Sequence, residues 1–432
     1  MKSVWWEKSS LPSFPYLSGD IHTDVLVIGG GIAGILTAYR LKERGVDCVV
    51  AEKRRICSGV TGNTTAKITS QHGLIYSKLL KSVGAENARK YLLANENALA
   101  RYKEMSRKID CDFESKDSFV YSTDSKKKLF DEMSALERIG FPAQLREEVP
   151  LPIRTVGAVR FPEQAQFNVL KFLCAVCKNL QIYENTFVRE MIGTDAVTDK
   201  GKIFAKRVVV TTHFPFINKH GLYPLKLYQH RSYVIALENA KNVNGMYVDE
   251  EKTGMSFRNY GDLLLLGGGG HRTGKKGGNW NELRSFAKTH YPEAEEKYFW
   301  SAQDCMSLDG IPYIGQYSKN TPDLFVASGF NKWGMTSSMA ASEILADLIT
   351  DRKNDFADLF SPSRSMLRPQ LVVNGFESVT GLLTPSKKRC PHLGCALKRN
   401  EAEHSWDCPC HGSRFSAEGR VLDNPANGNL KL

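Results

Sequence analysis

Apolar residues follow two patterns along the chain: short uninterrupted runs and runs with helical spacing. The first short run covers residues 25–28 and enters the sequence GGGIAG at residues 29–34. Apolar residues then recur at intervals of three and four as far as residue 41, and a second short run at residues 48–51 stops at Glu52. A strand, a glycine turn, a helix and a second strand in this order predict a βαβ nucleotide-binding unit.

The same two patterns predict a mixed α/β chain beyond this unit. Helical spacing recurs over residues 79–109, 126–139 and 168–180. Short apolar runs predict strands at residues 181–190, 203–212, 228–237, 245–248, 263–267 and 324–327. Four consecutive glycines at residues 267–270 predict a loop, because glycine weakens helices and strands alike.

The glycines of the βαβ unit have separate tasks in binding a dinucleotide. Gly29 permits the tight turn after the strand, Gly31 lets the backbone approach a pyrophosphate, and Gly34 lets the helix pack closely on the strand. The helix N-terminus faces the phosphates. Glu52, at the end of the second strand, is placed to accept hydrogen bonds from the ribose hydroxyls. The motif predicts a dinucleotide without specifying which one.

Two further segments offer groups that can hold phosphate or a cofactor ring. Residues 58–67 are mostly small and hydroxylic, and include Thr61, Thr65 and Lys67. A plain surface turn is the alternative, because such residues are common in loops. A strand, a glycine turn and a helix start recur at residues 324–336, with Gly329 and Gly334, and predict a second anion or carbonyl site.

Near the carboxyl end, two short loops of matching composition contain cysteine and histidine. Their candidate metal ligands are Cys390, His392, Cys408 and His411. Two thiolates and two imidazoles can hold a [2Fe–2S] centre, one pair on each iron. Zinc with the same ligands is the alternative. Cys395 and Cys410, one in each loop, favour the cluster, because they could cross-link the loops around it.

Composition limits the classes of partner and the cellular location that we expect. The net charge of +11 comes from Lys and Arg spread along 432 residues, which favours solvated faces, and no nucleic-acid-binding module is evident. Cys174 and Cys177 lie in a helical stretch, where burial is a simpler interpretation than redox chemistry. Neither an apolar run typical of a signal peptide nor about 18 successive uncharged apolar residues occur, so we expect a cytoplasmic protein without a transmembrane segment.

The two sites together resemble a D-amino-acid-oxidase-type flavoprotein, the group of glycine oxidase and sarcosine oxidase, joined to a Rieske domain. The flavoprotein resemblance covers residues 24–352 and the Rieske resemblance residues 388–432. It implies that the dinucleotide is FAD and that Cys395 and Cys410 form a disulfide beside the four cluster ligands. The residues that it implies at FAD are Gly29, Gly31, Gly34, Glu52, Thr61, Thr65, Val188, Thr211, Gly329, Gly334, Met335 and Thr336.

The resemblance also implies an α/β architecture of several parts. A Rossmann-like FAD-binding domain of residues 1–80, 145–215 and 305–360 would accompany an α+β substrate domain of residues 81–144 and 216–304. A linker at residues 361–387 would lead to a small, mainly β Rieske domain at 388–432. Only about twenty residues lie between Pro369 and Cys390, too few for the full β-sheet of a Rieske domain, so we expect this domain to pack on the flavoprotein body.

The implied activity is removal of a hydride from the carbon beside an amine of a small amine or amino acid. A chain with its own one-electron centre is then expected to be a dehydrogenase that passes electrons singly to a carrier protein such as a ferredoxin or flavodoxin. Arg258, His271 and Lys67 are candidate residues for substrate and catalysis, with Arg272 beside them. The alternatives are an oxidase with a structural cluster, a reductive enzyme fed by a carrier, and a redox-responsive binding protein.

Overall fold

The computed structural model describes residues 2–251 and 254–431. Its helices are α1 (Val4–Glu7), α2 (Ile32–Glu43), α3 (Tyr76–Ser106), α4 (Lys126–Arg138), α5 (Val169–Val176), α6 (Tyr223–Lys226), α7 (Asn279–His290), α8 (Gly334–Ile349), α9 (Ala357–Phe360) and α10 (Pro369–Leu383). The predicted helices within residues 79–109, 126–139 and 168–180 are confirmed as α3, α4 and α5. None of the described helices is long and apolar enough to span a bilayer.

In the described residues, three sheets are built from the following strands. They are β1 (Ile21–Ile28), β2 (Cys48–Ala51), β3 (Lys67–Ile68), β4 (Glu114–Ser122), β5 (Gln144–Arg146), β6 (Gly157–Gln166), β7 (Gln181–Tyr183), β8 (Val188–Ile192), β9 (Asp195–Thr198), β10 (Lys202–Val210), β11 (Tyr228–Glu238), β12 (Met246–Asp249), β13 (Ser256–Tyr260), β14 (Leu263–Arg272), β15 (Glu295–Met306), β16 (Tyr313–Gln316), β17 (Leu324–Ser328), β18 (Lys398–Asn400), β19 (Ser405–Asp407), β20 (Arg414–Phe415) and β21 (Val421–Asp423).

The first sheet has the order β16-β17-β10-β1-β2-β7, with β8 and β9 attached beside β10. Strands β1, β2, β10 and β17 are parallel neighbours, and Val27 lies opposite both Val50 and Val209. The carboxyl ends of parallel strands meet at one edge of a sheet, where ligands bind in this architecture. This edge therefore collects Gly29 after β1, Thr211 after β10 and Gly329 after β17.

The second sheet has the order β15-β11-β14-β13-β12-β4-β6-β3, and β5 pairs with β6. Most of its strands come from the two segments that we expected to form the substrate domain. Strands β3 and β6 are exceptions: the sequence-based division placed both with the FAD-binding segments, whereas the structure pairs β6 with β3 and with β4 of the second sheet. Pairing across a sheet depends on long-range register, which apolar spacing in one strand does not specify.

The glycine run at residues 267–270 was wrongly predicted to be a loop, because β14 continues through it to Arg272. A Cβ at Gly267 would come within 2.6 Å of the Ser256 hydroxyl oxygen, and a Cβ at Gly270 within 2.9 Å of the Arg231 carbonyl oxygen. The glycines thus allow close approach of neighbouring chain segments. Glycine in a strand interior often marks such an approach.

The segment 361–387, expected to be a linker, contains the 15-residue helix α10. Beyond it, β18, β19, β20 and β21 form a four-stranded antiparallel sheet. This small domain packs on the body, as predicted. The Gln303 amide donates to the Gly412 carbonyl at 2.9 Å, and the Asn424 amide donates to the Thr212 and Phe214 carbonyls at 2.6 Å.

Candidate functional site

A cavity of about 660 Å³ opens at the carboxyl edge of the first sheet. Residues of both large sheets line it, and Leu422, Asp423, Asn424 and Asn427 of the carboxyl-terminal domain complete its wall. Ten of the twelve residues expected at FAD belong to this lining. The two others, Gly34 and Thr336, lie directly behind it.

The glycine turn is shaped so that backbone forms the cavity wall. Gly29 has a φ of 111°, a conformation that favours glycine. A Cβ at Gly34 would overlap the Gly29 carbonyl oxygen, so α2 can approach the turn only with glycine there. Gly31 is the residue before α2, and the Ile32 amide of the first helical turn donates to the Thr61 hydroxyl at 3.0 Å.

Other residues expected at FAD hold this edge together. The Glu52 carboxylate accepts from the Gly30 amide at 2.8 Å, which leaves it facing the glycine turn. The Thr211 hydroxyl donates toward the Ile28 and Gly29 carbonyls at 2.9 and 3.0 Å. The Thr336 hydroxyl donates to the Thr69 carbonyl at 3.1 Å and therefore supports the wall from behind.

The three candidate catalytic residues have different locations. Lys67 lines the cavity, and its amine donates to the Thr65 hydroxyl at 3.2 Å. Desolvation and the charge of Arg258 lower the pKa of Lys67 to about 7. Arg258 is fully buried outside the described lining, and one of its nitrogens donates to the Thr65 and Ala66 carbonyls at 2.8 and 2.9 Å. Burial lowers its pKa to about 9.

His271 also lies outside the described lining of the cavity. Its ring contacts the Tyr233 hydroxyl at 2.9 Å and the Arg272 carbonyl at 2.9 Å. The Arg272 guanidinium donates to the Pro409 carbonyl at 3.3 Å in the carboxyl-terminal domain. Arg258, His271 and Arg272 contact other parts of the protein in this structure, and their predicted role in binding the substrate stays a prediction.

Two aromatic residues of the cavity wall, His72 and Trp333, were not among the predicted site residues. The rings of His72 and Trp333 stack with centroids 5.0 Å apart, and the His72 ring contacts the Tyr91 hydroxyl at 2.6 Å. Burial lowers the pKa of His72 to about 3, so the ring is neutral. Trp333 lies within the segment 324–336 that we singled out, but a lone histidine at residue 72 carries no motif.

The four predicted cluster ligands come together in the carboxyl-terminal domain. The Cys408 thiol hydrogen-bonds the Cys390 sulfur, which also receives the Ser413 hydroxyl, and these bonds lower the pKa of Cys390. The rings of His392 and His411 lie with centroids 5.1 Å apart, nearly perpendicular. Thiolates on one side and imidazoles on the other suit a [2Fe–2S] centre.

The orientation of the two histidines shows whether they could bind the iron of a cluster. The Nδ1 atoms of His392 and His411 are buried, and neither has a hydrogen-bond partner among the described residues. Their outer edges are bound: His392 Nε2 contacts the Asn218 amide oxygen at 3.1 Å, and His411 hydrogen-bonds the Pro224 backbone. Metal-bound histidines are held in this way through the other ring nitrogen. The residues therefore fit a cluster.

A disulfide joins Cys395 to Cys410, whose Cα atoms are 6.7 Å apart. Both Sγ atoms lie within 4.8 Å of the Sγ of Cys408. The disulfide therefore cross-links the two ligand-bearing loops beside one of the ligands, as the resemblance implied.

Comparison with known families decides the assignment. Residues 24–348 match the family model described as FAD dependent oxidoreductase. The chain belongs to this family. Residues 364–432 of this flavoprotein match the Rieske [2Fe-2S] domain, a range that includes the expected segment 388–432 and helix α10. FAD and a Rieske [2Fe–2S] cluster are accordingly its two cofactors.

Known proteins match the whole chain or about four fifths of it. The Rieske 2Fe-2S iron-sulfur protein YhfW of Bacillus subtilis is 33% identical, with 100% of this chain and 97% of that protein covered. The gamma-glutamylputrescine oxidoreductase of Escherichia coli is 23% identical over 80% of this chain and 88% of its own. Glycine oxidase from Geobacillus kaustophilus shares the fold, with a TM-score of 0.67, 20% identity and coverage of 80% and 99%.

One four-residue segment of the flavoprotein joins the FAD cavity to the cluster site. Thr211, Thr212 and His213 line the cavity. The next residue, Phe214, is fully buried, and its ring centroid lies 6.4 Å from that of His392 and 6.3 Å from that of His411. The two sites are thus separated by little more than one short stretch of chain.

A buried ion pair fastens the Rieske domain to the body. Glu403 accepts from Arg231 of strand β11 and, at 2.7 Å, from Arg414 of strand β20. The Ser301 hydroxyl donates to the same carboxylate at 2.9 Å, and the Tyr233 hydroxyl at 3.0 Å. Although burial opposes ionisation, the two guanidinium groups lower the pKa of Glu403 to about 2.

Replacing Glu403 with alanine is expected to loosen this attachment. The change leaves Arg231 buried without a carboxylate, and breaking a buried pair in this way costs about 3–5 kcal/mol. Urea unfolding of the holoprotein, followed by cluster absorbance, should therefore begin at a lower concentration. Glu401→Ala is the matched control, because Glu401 is 82% exposed and lies 3.6 Å from Arg399.

The same pair predicts a pH dependence. The pKa of Glu403 is lower in the folded state than in the unfolded state, so its contribution is complete above about pH 4.5 and is lost as the pH falls toward 2. The difference in unfolding free energy between the unchanged protein and Glu403→Ala should shrink over that window. A difference that is constant with pH would contradict this assignment.

Proposed function

We propose that this flavoprotein is a dehydrogenase of a small amine or amino acid whose electrons leave one at a time through the Rieske cluster to a protein acceptor. The observation that carries the proposal is the segment of residues 211–214, which runs from the cavity wall to the cluster histidines. When bound, FAD accepts a hydride and a [2Fe–2S] cluster carries single electrons.

The residues of the cavity support a substrate with an amine. Asp249 and Asp304 line it, and the Asp304 carboxylate accepts from the Ser232 hydroxyl at 2.9 Å. A carboxylate in a partly enclosed wall favours an ammonium group. Two of the similar proteins, gamma-glutamylputrescine oxidoreductase and glycine oxidase, are named for an amine and an amino acid.

Lys67 remains the candidate catalytic residue of the three predicted. It lies in the cavity wall beside Thr65, whereas Arg258 and His271 do not. A pKa near 7 lets its amine exchange a proton at neutral pH, which is the range that a general acid or base requires. Arg258 acts on it from behind, by its charge and by holding the Thr65 and Ala66 carbonyls.

The acceptor in this proposal is a small carrier protein such as a ferredoxin or flavodoxin, and the place of reaction is the cytoplasm. Basic residues outnumber acidic ones by 58 to 47, which favours an acidic carrier. The oxidase alternative uses the same cavity and differs in the acceptor, so a direct measurement separates the two.

The test is anaerobic bleaching of the flavin absorbance by a panel of amines and amino acids, followed by reoxidation. We expect one chemical class to bleach the flavin, and we expect ferricyanide to reoxidise it faster than oxygen does. Rapid reoxidation by oxygen with stoichiometric peroxide would instead support an amine oxidase with a structural cluster. If no amine or amino acid bleaches the flavin, the proposed substrate class is wrong.

A further inference from the structure

Helix α10 carries a surface that the redox chemistry does not explain. Of the fourteen large apolar side chains that are exposed in the described part of the chain, eight lie between residues 367 and 393. They are Leu367, Val372, Val373, Phe376, Val379, Leu382, Leu383 and Leu393, and each is between 46% and 82% exposed. Soluble proteins seldom concentrate apolar side chains in this way without a binding role.

The helix is turned with its polar and small residues inward. Asn374 is buried, its amide donates to the Leu225 carbonyl at 3.1 Å, and its oxygen accepts from Arg272 at 3.1 Å. Gly381 is buried against the Cys395–Cys410 disulfide, where a Cβ would overlap the Cys410 sulfur. Val372, Phe376, Val379 and Leu383 recur at three and four and therefore form one outward stripe. An ordinary surface helix turns its apolar residues to the core and its polar residues to the solvent.

The chain segments around this stripe are almost free of carboxylates. Residues 214–226, 271–278 and 361–400 contain one acidic residue, Glu377. Its carboxylate pairs with Lys275 at 2.8 Å. Lys219, Lys276, Lys387 and Arg389 are exposed in the same segments. The apolar stripe therefore lies in a basic surround.

We propose that this face, the outward stripe of α10 with its basic surround, binds the surface of an anionic lipid bilayer. A helix with an apolar stripe and neighbouring lysine and arginine residues lies in the plane of the headgroups, with the stripe inserted and the basic groups at the phosphates. At 1.5 Å per residue, the 15 residues of α10 would lie along about 22 Å of that surface. The inference does not depend on the substrate of the flavin.

A second copy of the chain fits this face less well. Pairing through a twofold axis would bring the same basic segments of both copies together. Those segments supply one carboxylate per chain, and Lys275 already pairs with it. An acidic carrier protein would satisfy the charge, but electron-transfer complexes are small, whereas this stripe extends along a whole helix and projects outward. An anionic lipid surface complements both the basic charge and the elongated shape of this face.

The arrangement also positions the cluster. The inward side of α10 touches the disulfide through Gly381, and Leu393, beside the ligand His392, adds to the apolar face. Binding through α10 would therefore hold the Rieske domain against the lipid, with the FAD cavity beside it, because Gln370 of the same helix lines that cavity.

The test is sedimentation of the full-length holoprotein with vesicles. We expect it to pellet with phosphatidylcholine–phosphatidylglycerol vesicles and to remain in solution with phosphatidylcholine alone. Phe376→Ser should lower the partition coefficient about tenfold or more, because it removes one large inserted side chain. Lys276→Gln and Lys387→Gln should each lower it about fivefold, the effect of one basic residue at an anionic surface.

Helix α4 supplies matched controls, because it carries an exposed phenylalanine, Phe130, and an exposed lysine, Lys126, and lies far from α10 in the sequence. Phe130→Ser and Lys126→Gln should leave vesicle binding unchanged, and flavin absorbance establishes that every variant is folded. Equal binding by Phe376→Ser and Phe130→Ser would overturn the proposal, as would failure to pellet with anionic vesicles. A change from dimer to monomer caused by Phe376→Ser would assign the face to a second copy and overturn it as well.

Discussion

The His411→Ala protein is expected to be reduced by its substrate at the flavin but to pass electrons to a one-electron acceptor at least about a hundredfold more slowly, because it lacks a cluster ligand. His411 presents a buried Nδ1 without a partner among the described residues and lies 6.3 Å, ring to ring, from Phe214. Its removal would leave one iron of the cluster without a ligand, at the end of the segment of residues 211–214 that leads from the FAD cavity. Stopped-flow flavin bleaching and cytochrome c or ferricyanide reduction measure the two steps separately.

His404→Asn provides the control for this change. His404 is an exposed histidine of the same domain, and its φ of 51° suits asparagine. We expect this variant to keep both the low-field electron resonance of the cluster and the full rate of acceptor reduction. If His411→Ala loses the resonance and still reduces the acceptor at the original rate, electrons leave from the flavin directly and the outlet role of the cluster is wrong.

Gly34→Ala is expected to have the largest effect on the FAD-binding domain. The new methyl group would overlap the Gly29 carbonyl oxygen and approach the Thr211 hydroxyl, both of which belong to the wall of the cavity. Forcing α2 away from the turn should lower the free energy of unfolding by about 3 kcal/mol or more, which is a large effect for an overpacked site. We expect loss of most bound FAD, measured as the ratio of flavin to protein absorbance, and a lower melting temperature.

Gly375→Ala is the matched substitution, because Gly375 is also a helical glycine. A Cβ there would have no neighbour within 4 Å, so the change should be neutral or stabilise α10 by about 1 kcal/mol through helix propensity. Retention of full FAD occupancy by Gly34→Ala would show that α2 and the glycine turn do not pack as described.

The parts of this protein that could be predicted are those in which neighbouring residues build the site. The turn from Gly29 to Gly34 is one continuous stretch, and its spacing specifies which backbone groups face a phosphate. Cys390 with His392 and Cys408 with His411 are each two or three residues apart, so each loop carries its own pair of ligands. The helices α3, α4 and α5 follow from apolar spacing alone. Because the residues of each motif are close in sequence, the backbone between them can adopt few conformations that would place them differently.

Other features depend on which strands become neighbours. The contacts of Arg258, a predicted ligand for a carboxylate, are one example: β13 lies in the second sheet and one guanidinium nitrogen donates to the Thr65 and Ala66 carbonyls. A shift of one residue along a strand exchanges its two faces, and the local sequence does not specify that register. The glycines of β14 were misread for a related reason, since their use becomes visible only beside Ser256 and Arg231.

The sequence by itself determined a dinucleotide site and a metal site of two cysteines and two histidines, because each depends on a short motif within one or two loops, and the family resemblance of these motifs implied FAD and a Rieske cluster. The tertiary structure decided how the cofactor sites are connected. Only folding brings Phe214 from the end of β10 to the rings of His392 and His411, about 180 residues later in the chain. It also turned the expected linker into α10, whose apolar stripe faces outward because Asn374 and Gly381 have partners inside.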